Sequence, residues 1–416
     1  MPNITARFNG VSQLAERLLN KLVAGLYDSG VVPYRFTGDN PRTNAEFGIT
    51  VASAYDLSVR SPELELDGAV ASGIQVRLGV SGWVELRAAV DPRPISPSAN
   101  HAWRAQVVGS ATFRVPLTTR RTSRWGWVEL DLSELADLDL EVRVTPSFGL
   151  HDELARQFAK RAILVGLRTR VRRLPLSPRF DAELLGGSAF EDLAVRIIDG
   201  PCPPDEDDVT IAVSSWPNRG RGRAADLFDT VNPRDDLVVA VHQRHLIQAF
   251  DIAWKRGVFP RKFEASGEPD ASGGLTVNGL AFDLQDGALL LTIDGTREAA
   301  GGRSSSFGFT THVRPFAAGG ELRMADLSAP GALPFELRNL ALRLGWLVVG
   351  PTLLQVAGFR GYTDSLTEYA QRRGPGTLPL RIGGSPEAYP LDLIANFQEC
   401  TVSSDEVVVR ASIRVD

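Results

Sequence analysis

The spacing of hydrophobic positions along the chain changes several times, and each change predicts a new element. Residues 11–27 place apolar side chains at i, i+3, i+4 and i+7, which predicts an amphipathic helix that ends at Gly30 and Pro33. From Phe47 the period becomes two, which is typical of strands. Helical spacing returns over residues 151–173. The predicted strands between these two helices are 47–60, 63–67, 74–90, 102–117, 125–132 and 138–146.

The same order of elements occurs again in the second half of the chain. The pattern predicts a strand at 237–241, an amphipathic helix at 244–256, a run of strands over 275–327 and a long apolar helix at 346–372. The chain contains 39 glycines and 26 prolines without a regular period, which agrees with many turns and much β-structure. The last predicted strands are 378–382, 389–397 and 406–415.

A short pattern indicates that the two halves are related by duplication. Residues 27–36 (YDSGVVPYRF) align without gaps on residues 254–263 (WKRGVFPRKF), and both read aromatic-x-x-Gly-Val-apolar-Pro-x-basic-Phe. The pattern describes the last turn of a helix, a glycine that ends it and an extended exit fixed by proline. Upstream, the apolar positions Leu19, Leu22, Val23 and Leu26 fall opposite Leu246, Ala249, Phe250 and Ala253.

This tandem order of helix, long β-meander and helix resembles the tubular lipid-binding (TULIP) superfamily. It is most similar to the two-domain family of bactericidal/permeability-increasing protein, lipopolysaccharide-binding protein and the plasma lipid-transfer proteins. In residues 236–263 a strand leads straight into a helix that ends in aromatic-x-x-Gly-Val, as at the start of that family's second domain. Residues 193–216 stand where the family has its interdomain sheet, and 366–415 resemble its C-terminus.

The resemblance implies an α+β fold of two tandem units, each a long helix wrapped by a highly curved antiparallel sheet. The implied domains are an N-terminal unit at 1–190, a central sheet and linker at 191–235, and a C-terminal unit at 236–416 whose last strands return to the central sheet. Two features differ from the secreted family members, which have a basic N-terminal tip and a disulfide in the first domain. Here the formal net charge is −5 and the first domain has no cysteine pair, so the chain is more similar to bacterial relatives, including those encoded beside neurotoxins.

The implied function is non-enzymatic binding or transfer of a lipid or another apolar ligand inside tubes lined by apolar side chains. An acyl chain gains about 0.8 kcal/mol per buried CH₂ group, so a single chain already gives useful affinity. The side chains expected to face the tubes lie on the inward faces of the helices, although such positions more often close a dry core. They are Leu18, Leu22, Leu26, Phe158, Ala162 and Val165 in the first unit, and Leu246, Phe250, Trp254, Leu353, Leu354 and Phe359 in the second.

The composition of the chain limits which kinds of protein it can be. Fifty acidic residues outnumber 45 basic ones, so nucleic-acid binding is not expected. No secretory signal is predicted at the start of the sequence, and the apolar stretch 344–359 contains Pro351 and is shorter than the roughly 20 residues of a membrane span. Cys202 and Cys400 are too few for a disulfide framework or a structural zinc site, so both are expected to be free thiols in a cytoplasmic protein.

Three sets of polar residues have compositions that could support metal or head-group binding. His242 and His245 are three residues apart at a strand–helix junction, and capping or solvent-facing roles are favoured over metal ligation. The acidic run 205–208 lacks the spacing of a calcium loop and is typical of a solvated loop. The basic side chains of the second helix are typical of a solvated helix face, with a phosphate head group or an anionic membrane surface as the alternative. These are Arg156, Arg161, Arg168, Arg170, Arg172 and Arg173, with Arg219, Arg221 and Arg223 in a following Gly-Arg loop.

Three function classes therefore remain in order of preference. The first is a carrier or sensor of an apolar molecule, with a lipid or fatty-acid-like compound as its partner and no cofactor or metal. The second is an assembly partner or chaperone with the same fold and collapsed tubes, which would bind a protein. An enzyme comes last, because the sequence contains no Gly-x-Ser-x-Gly elbow, no Walker loop and no Cys-x-x-Cys pair.

Overall fold

The computed structural model divides the chain into two compact units. The larger unit comprises Met1–Leu18, Thr119–Val128 and Pro175–Asp416, and the smaller unit comprises Leu19–Thr118 and Glu129–Leu174. The structure describes all residues except 1–2, 31, 45–48, 67–72, 91–100, 122–124, 136–137, 148–149, 178–179, 182–189, 199–207, 216–221, 229, 258, 299–301, 357–377, 383–388 and 416.

The described residues form helices and antiparallel strands, which confirms the predicted α+β class. The α-helices are α1 Glu16–Asp28, α2 Leu150–Gly166, α3 Gln243–Lys255 and α4 Phe335–Val356. The first ten strands are β1 Gly10–Ala15, β2 Arg35–Asn44, β3 Ile49–Val59, β4 Glu63–Leu66, β5 Gly73–Val90, β6 His101–Arg121, β7 Trp125–Asp131, β8 Asp139–Thr145, β9 Arg173–Pro175 and β10 Phe180–Asp181. The others are β11 Phe190–Ile198, β12 Asp208–Ser215, β13 Leu237–His242, β14 Lys262–Phe263, β15 Leu275–Gln285, β16 Ala288–Glu298, β17 Ser304–Ala318, β18 Glu321–Asp326, β19 Leu378–Ile382, β20 Tyr389–Val402 and β21 Glu406–Val415.

A seven-stranded sheet in the larger unit collects strands from distant parts of the sequence. Its order is β11-β12-β1-β13-β21-β20-β19, and neighbouring strands are antiparallel. The sheet therefore contains β11 and β12 together with the final strands β19, β20 and β21. Its central strands β1 and β13 are buried almost throughout.

The prediction of a helix over residues 11–27 is wrong at its start, because 10–15 form β1. Both faces of β1 are covered. Val11 belongs to an apolar cluster on one side of the sheet, whereas Ser12 donates a hydrogen bond from Oγ to the Val356 carbonyl of α4 at 2.5 Å. Gln13 is also buried and donates from Nε2 to the Phe228 carbonyl at 2.7 Å. Polar residues that are buried and hydrogen-bonded concealed the strand, since they interrupt its apolar pattern in the sequence.

The second sheet of the larger unit has five strands in the order β14-β15-β16-β17-β18. Helix α4 packs against β16, β17 and β18, and Gly345 allows a close approach to Val313. The described helix begins at Phe335, earlier than the predicted 346–372, and most of it is buried from Leu340 onward. The sequence pattern placed the start of this helix too late because its first turns are amphipathic and only its later turns are uniformly apolar.

The smaller unit pairs strands in the order β2-β3-β5-β6, with β4 joined to β5 and β8 joined to β6. Helix α2 packs against β2, β3, β5 and β8. Helix α1 is tied to β4 by Asn20, whose amide donates to the Leu64 carbonyl at 2.9 Å and accepts from its N–H at 2.7 Å. The largest fully buried side chains of this unit include Leu22, Leu26, Phe36, Leu57, Ile74 and Ile163.

Glycine 166 controls how closely α2 approaches Phe36, because a methyl group at this position would overlap the buried Phe36 ring. Replacing Gly166 by Ala is expected to lower the free energy of unfolding of the smaller unit by about 2 kcal/mol through overpacking. Gly308 offers a matched control, since an added methyl group there meets no atom within 4 Å. Urea unfolding followed by circular dichroism measures both variants, and an equal effect of the two substitutions would contradict the packing argument.

The two strand–helix pairs that begin the halves share their local geometry. Strands β1 and β13 each have six residues, and α1 and α3 each have 13. Gly30 and Gly257 both adopt positive φ, 79° and 68°, after their helix. The amides of Val32 and Phe259 then donate back to the sixth residue before them, at 3.3 and 3.2 Å. Each of these positions in the first half lies 227 residues before its counterpart in the second half, which is the same spacing as in the aligned pattern.

Candidate functional site

Helix α3 carries the predicted ligand-facing side chains of the second half. His242 caps the helix, because its Nδ1 accepts a hydrogen bond from the Arg244 N–H at 3.1 Å. Leu246 and Phe250 follow at the i, i+4 spacing of one helix face and are buried. Trp254 continues this face one turn later and is half-buried. The face therefore leads from the interior to the surface of the larger unit.

Four aromatic side chains meet at the C-terminal end of α3, and we call Phe250, Trp254, Phe259 and Phe282 the aromatic cluster. The Phe250 ring lies 5.6 Å from Trp254, 5.1 Å from Phe259 and 5.5 Å from Phe282, measured between ring centroids. The contacts to Phe259 and Phe282 are edge-on, an arrangement that aromatic quadrupoles favour. Phe259 is buried and Phe282 is half-buried. The cluster thus has an interior side and a side that solvent reaches.

Arg261 lies over the outer side of this cluster. Its guanidinium carbon is 4.3 Å from the centroid of the Trp254 ring, and its Nη2 donates to the Trp254 carbonyl at 3.4 Å. A guanidinium over an indole face gives a cation–π contact, which is strongest with tryptophan. The arrangement combines an apolar wall with a positive charge at its exposed edge.

The other predicted ligand-facing positions of the second half lie on or after α4. Leu353 is buried. The side chain of Leu354 and the whole of Phe359 are outside the described residues.

Helix α1 presents Leu18, Leu22 and Leu26 inward, and all three are buried. In the helix α2 the inward face differs from the predicted one. Ala162 is buried and Phe158 is half-buried, but Val165 is 46% exposed. The residues that α2 buries are mostly small, which lets the helix approach its sheet closely and turns the larger side chains outward. They are Ala155, Ala159, Ala162, Ile163 and Gly166.

His245 is fully buried in α3, so a solvent-facing role is excluded for it. Neither ring nitrogen has a hydrogen-bond partner. Burial lowers the pKa of His245 to about 4, with a smaller contribution from His242. Burial also lowers the pKa of His242, reinforced by Arg244 and opposed by Asp405 and Glu406. Within the part of the chain that the structure describes, no group of three or more metal-ligating side chains occurs.

Two basic residues after α2, Arg168 and Arg173, make contacts within the smaller unit. Arg168 donates from Nε to the Leu135 carbonyl at 2.6 Å, and Arg173 lies 3.4 Å from Glu129 and 3.8 Å from Asp131. These contacts favour a structural role over contact with a head group. The acidic run up to Asp207, and with it Cys202, Arg219 and Arg221, lies outside the described residues, whereas Cys400 is a free thiol.

The chain is an α+β protein in which long helices pack on antiparallel sheets. A strand of one sheet leads into a helix and then into a meander, twice along the chain. This is the order that the sequence resemblance to the two-domain tubular lipid-binding family implied, and the fold is of that kind. The described helices do not include one with the length and apolar character needed to cross a bilayer.

Two solved structures are similar over nearly the whole chain. One is the crystal structure of lipopolysaccharide binding protein, at 14% identity, covering 98% of this chain and 99% of that one with a TM-score of 0.32. The other is P47 from Clostridium botulinum A2, at 8% identity, covering 98% of both chains with a TM-score of 0.42. Both TM-scores are below 0.5, so the fold is defined by the helices and strands of this chain and not by these two structures. No protein-family profile and no curated protein matches the chain.

Proposed function

We propose that this protein binds an amphiphile with an apolar chain, such as a fatty acid or phospholipid, without catalysing a reaction. The observation that carries the proposal is the aromatic cluster at the end of α3. Leu246 and Phe250 are buried, Trp254 and Phe282 are partly open to solvent, and Arg261 stands at the exposed edge. An apolar wall that reaches the surface and ends at a cation matches a molecule with an apolar chain and an anionic head.

The energetics of such binding follow from the two ends of the ligand. Each CH₂ group removed from water contributes about 0.8 kcal/mol, so the chain supplies most of the affinity. The head group remains hydrated near Arg261 and contributes less, since an exposed charge pair is worth at most about 1 kcal/mol. The site should therefore select chain length more strongly than head-group chemistry.

The first measurement is organic extraction of the purified protein, followed by mass spectrometry of the extract and native mass spectrometry of the protein. One or two phospholipids or fatty acids per chain would support the carrier and name its ligand class. An empty protein that also fails to take up a fluorescent fatty acid would contradict it.

Substitution in the aromatic cluster tests the site itself. Phe282→Ser is expected to weaken the uptake of a fluorescent fatty acid about tenfold, because it removes one aromatic wall from the ligand and adds a polar group. Tyr34→Ser is the matched control, since Tyr34 is 62% exposed and belongs to the smaller unit. Fluorescence titration measures both variants after circular dichroism has shown that each is folded. Equal affinities would place the binding site elsewhere.

A second candidate is an assembly partner or chaperone whose tubes are collapsed. One observation favours it: the small residues of α2 bring the helix so close to its sheet that a Cβ at Gly166 would overlap the Phe36 ring. Such contact leaves no room for a chain at that point of the smaller unit. Recovery of a stable stoichiometric protein complex from the native host, with no lipid in the extract, would support this function over the carrier.

We also infer that the two halves descend from one duplicated unit, with domains at 1–190 and 236–416 and a central segment at 191–235. The matching strand and helix lengths and the constant 227-residue spacing support this inference.

A further inference from the structure

A run of basic residues surrounds the aromatic cluster. Residues 252–263 read IAWKRGVFPRKF, with four basic side chains and no acidic one. The run contains two of the four lysines in the chain, although the whole protein carries a formal charge of −5. Asp251 and Glu264 are the acidic residues that bound it. We call Lys255, Arg256, Arg261 and Lys262 the basic patch.

All four side chains of the basic patch are exposed. Elsewhere in the larger unit arginines pair with acids, as in Arg297 with Glu336 at 3.0 Å and Arg338 with Asp326 at 2.9 Å. Among the described residues, no ion pair involves a member of the basic patch. Its four positive charges are therefore not held in ion pairs, and at physiological salt the field of more distant acids is screened beyond about 8 Å.

An exposed aromatic residue lies at the same end of the larger unit. Asn339 of α4 donates from Nδ2 to the Ala265 carbonyl at 3.4 Å, and Ala265 follows the basic patch by three residues. Phe335, one helical turn before Asn339, is 71% exposed. Exposed aromatic and basic side chains at one end of a molecule are the combination that partitions to the interface of an anionic membrane.

The first half of the chain lacks this charge at the positions 227 residues earlier. Asp28 and Ser29 stand where the second half has Lys255 and Arg256, and Tyr34 stands in place of Arg261. Arg35, opposite Lys262, is paired with Asp56 at 2.5 Å. The basic patch is therefore a property of one half and not a requirement of the shared turn, which is formed without it at Gly30.

We propose that the basic patch docks the larger unit on the anionic surface of a phospholipid bilayer. The charges are distributed over long, exposed side chains around an aromatic cluster, which suits a surface of many phosphates better than one buried anion. Each such side chain near an anionic membrane strengthens binding about fivefold. Docking here would bring the exposed edge of the aromatic cluster to the membrane, but it does not depend on any ligand being bound.

Vesicle co-sedimentation of the full chain tests the docking. The native protein is expected to bind vesicles with about 30% phosphatidylserine at least about tenfold more tightly than pure phosphatidylcholine vesicles, and to lose this preference at high salt. The variant K255D/R256S/K262S leaves Arg261 and the aromatic cluster in place. Its affinity for the anionic vesicles is expected to fall at least about twentyfold.

A control variant with the same change in net charge separates a local patch from overall charge. Arg77, Arg143 and Arg234 are exposed basic residues that do not belong to the basic patch, and R77D/R143S/R234S should bind the anionic vesicles within about threefold of the native protein. Equal losses in the two variants, or native-like binding by the patch variant, would overturn the proposal. So would competition by millimolar glycerol phosphate, which would indicate a soluble anion, or binding only to an acidic protein.

Uptake of a fluorescent fatty acid in solution distinguishes a failure of the docking proposal from a failure of the proposed function. The patch variant should take up a fluorescent fatty acid in solution as the native protein does. Uptake without vesicle binding by the native protein would overturn the docking alone, and vesicle binding without uptake would contradict the carrier alone.

Discussion

Replacing Asp236 by Ala is expected to lower the free energy of unfolding of the larger unit by about 3 kcal/mol. The Asp236 carboxylate is 3% exposed, accepts from Arg17 Nε at 2.7 Å and accepts from the Ile413 N–H at 2.6 Å. It therefore connects the first turn of α1 and the last strand β21 to the residue that precedes β13. Its removal leaves the Arg17 guanidinium and the buried Ile413 N–H without this acceptor. A buried donor that loses its acceptor costs free energy, because it has been removed from water without a replacement hydrogen bond.

Urea unfolding monitored by far-ultraviolet circular dichroism measures this loss. Arg323→Ala is the matched control, because its ion pair with Glu321 at 3.1 Å is exposed on both sides and is expected to contribute under about 1 kcal/mol. A similar small effect for both variants would show that the Asp236 pair does not hold the seven-stranded sheet together.

Acidification is expected to destabilise the larger unit through His245. The unfolded chain takes up a proton on this imidazole near pH 6.5, whereas the folded pKa is lowered to about 4 by burial. Stability is therefore fully present above pH 6.5 and falls as the pH drops toward 4. The expected slope is about 1.4 kcal/mol per pH unit, or about 3 kcal/mol over the window.

The variant His245→Leu should lose this pH dependence while remaining stable at neutral pH. Neither ring nitrogen of His245 is hydrogen-bonded, so an apolar residue of similar size leaves no partner unsatisfied. Thermal or urea unfolding at several pH values measures both proteins, and the difference between their slopes isolates the histidine from other titrating groups. Parallel slopes would mean that His245 is protonated or hydrated in the folded state.

Much of the secondary structure was predictable from periodicity. The predicted strands 378–382 and 406–415 agree with β19 and β21, and the predicted helix 244–256 is displaced by one residue from α3. These elements have clean patterns because one face is buried and their ends are marked by glycine, proline or polar turns. Strand β1 was missed because its buried Ser12 and Gln13 are satisfied by partners more than 200 residues away.

The candidate site was predicted only in part. Phe250 and Trp254 follow from the helical face of α3, and Phe259 is part of the aligned pattern. Phe282 carried no signal of its own, since β15 alternates apolar and polar residues like any strand. Arg261 occupies a variable position of the aligned pattern, where the first half has Tyr34, so the pattern gave no reason to select it. Its stacking on Trp254 is seen only in the structure. Helical spacing predicted an inward position for Val165, whereas the structure leaves it exposed and buries Ala155, Ala159 and Ala162 of α2.

The α+β class, most of the order of the elements and the repeated turn at Gly30 and Gly257 followed from the amino-acid sequence alone. Those features depend on local periodicity and backbone preference, which neighbouring residues set. The folded structure was needed to show which strands share the seven-stranded sheet, which face α2 buries and which described charges form no ion pair. These depend on contacts between residues far apart in the chain, where packing and hydrogen bonding override the local pattern.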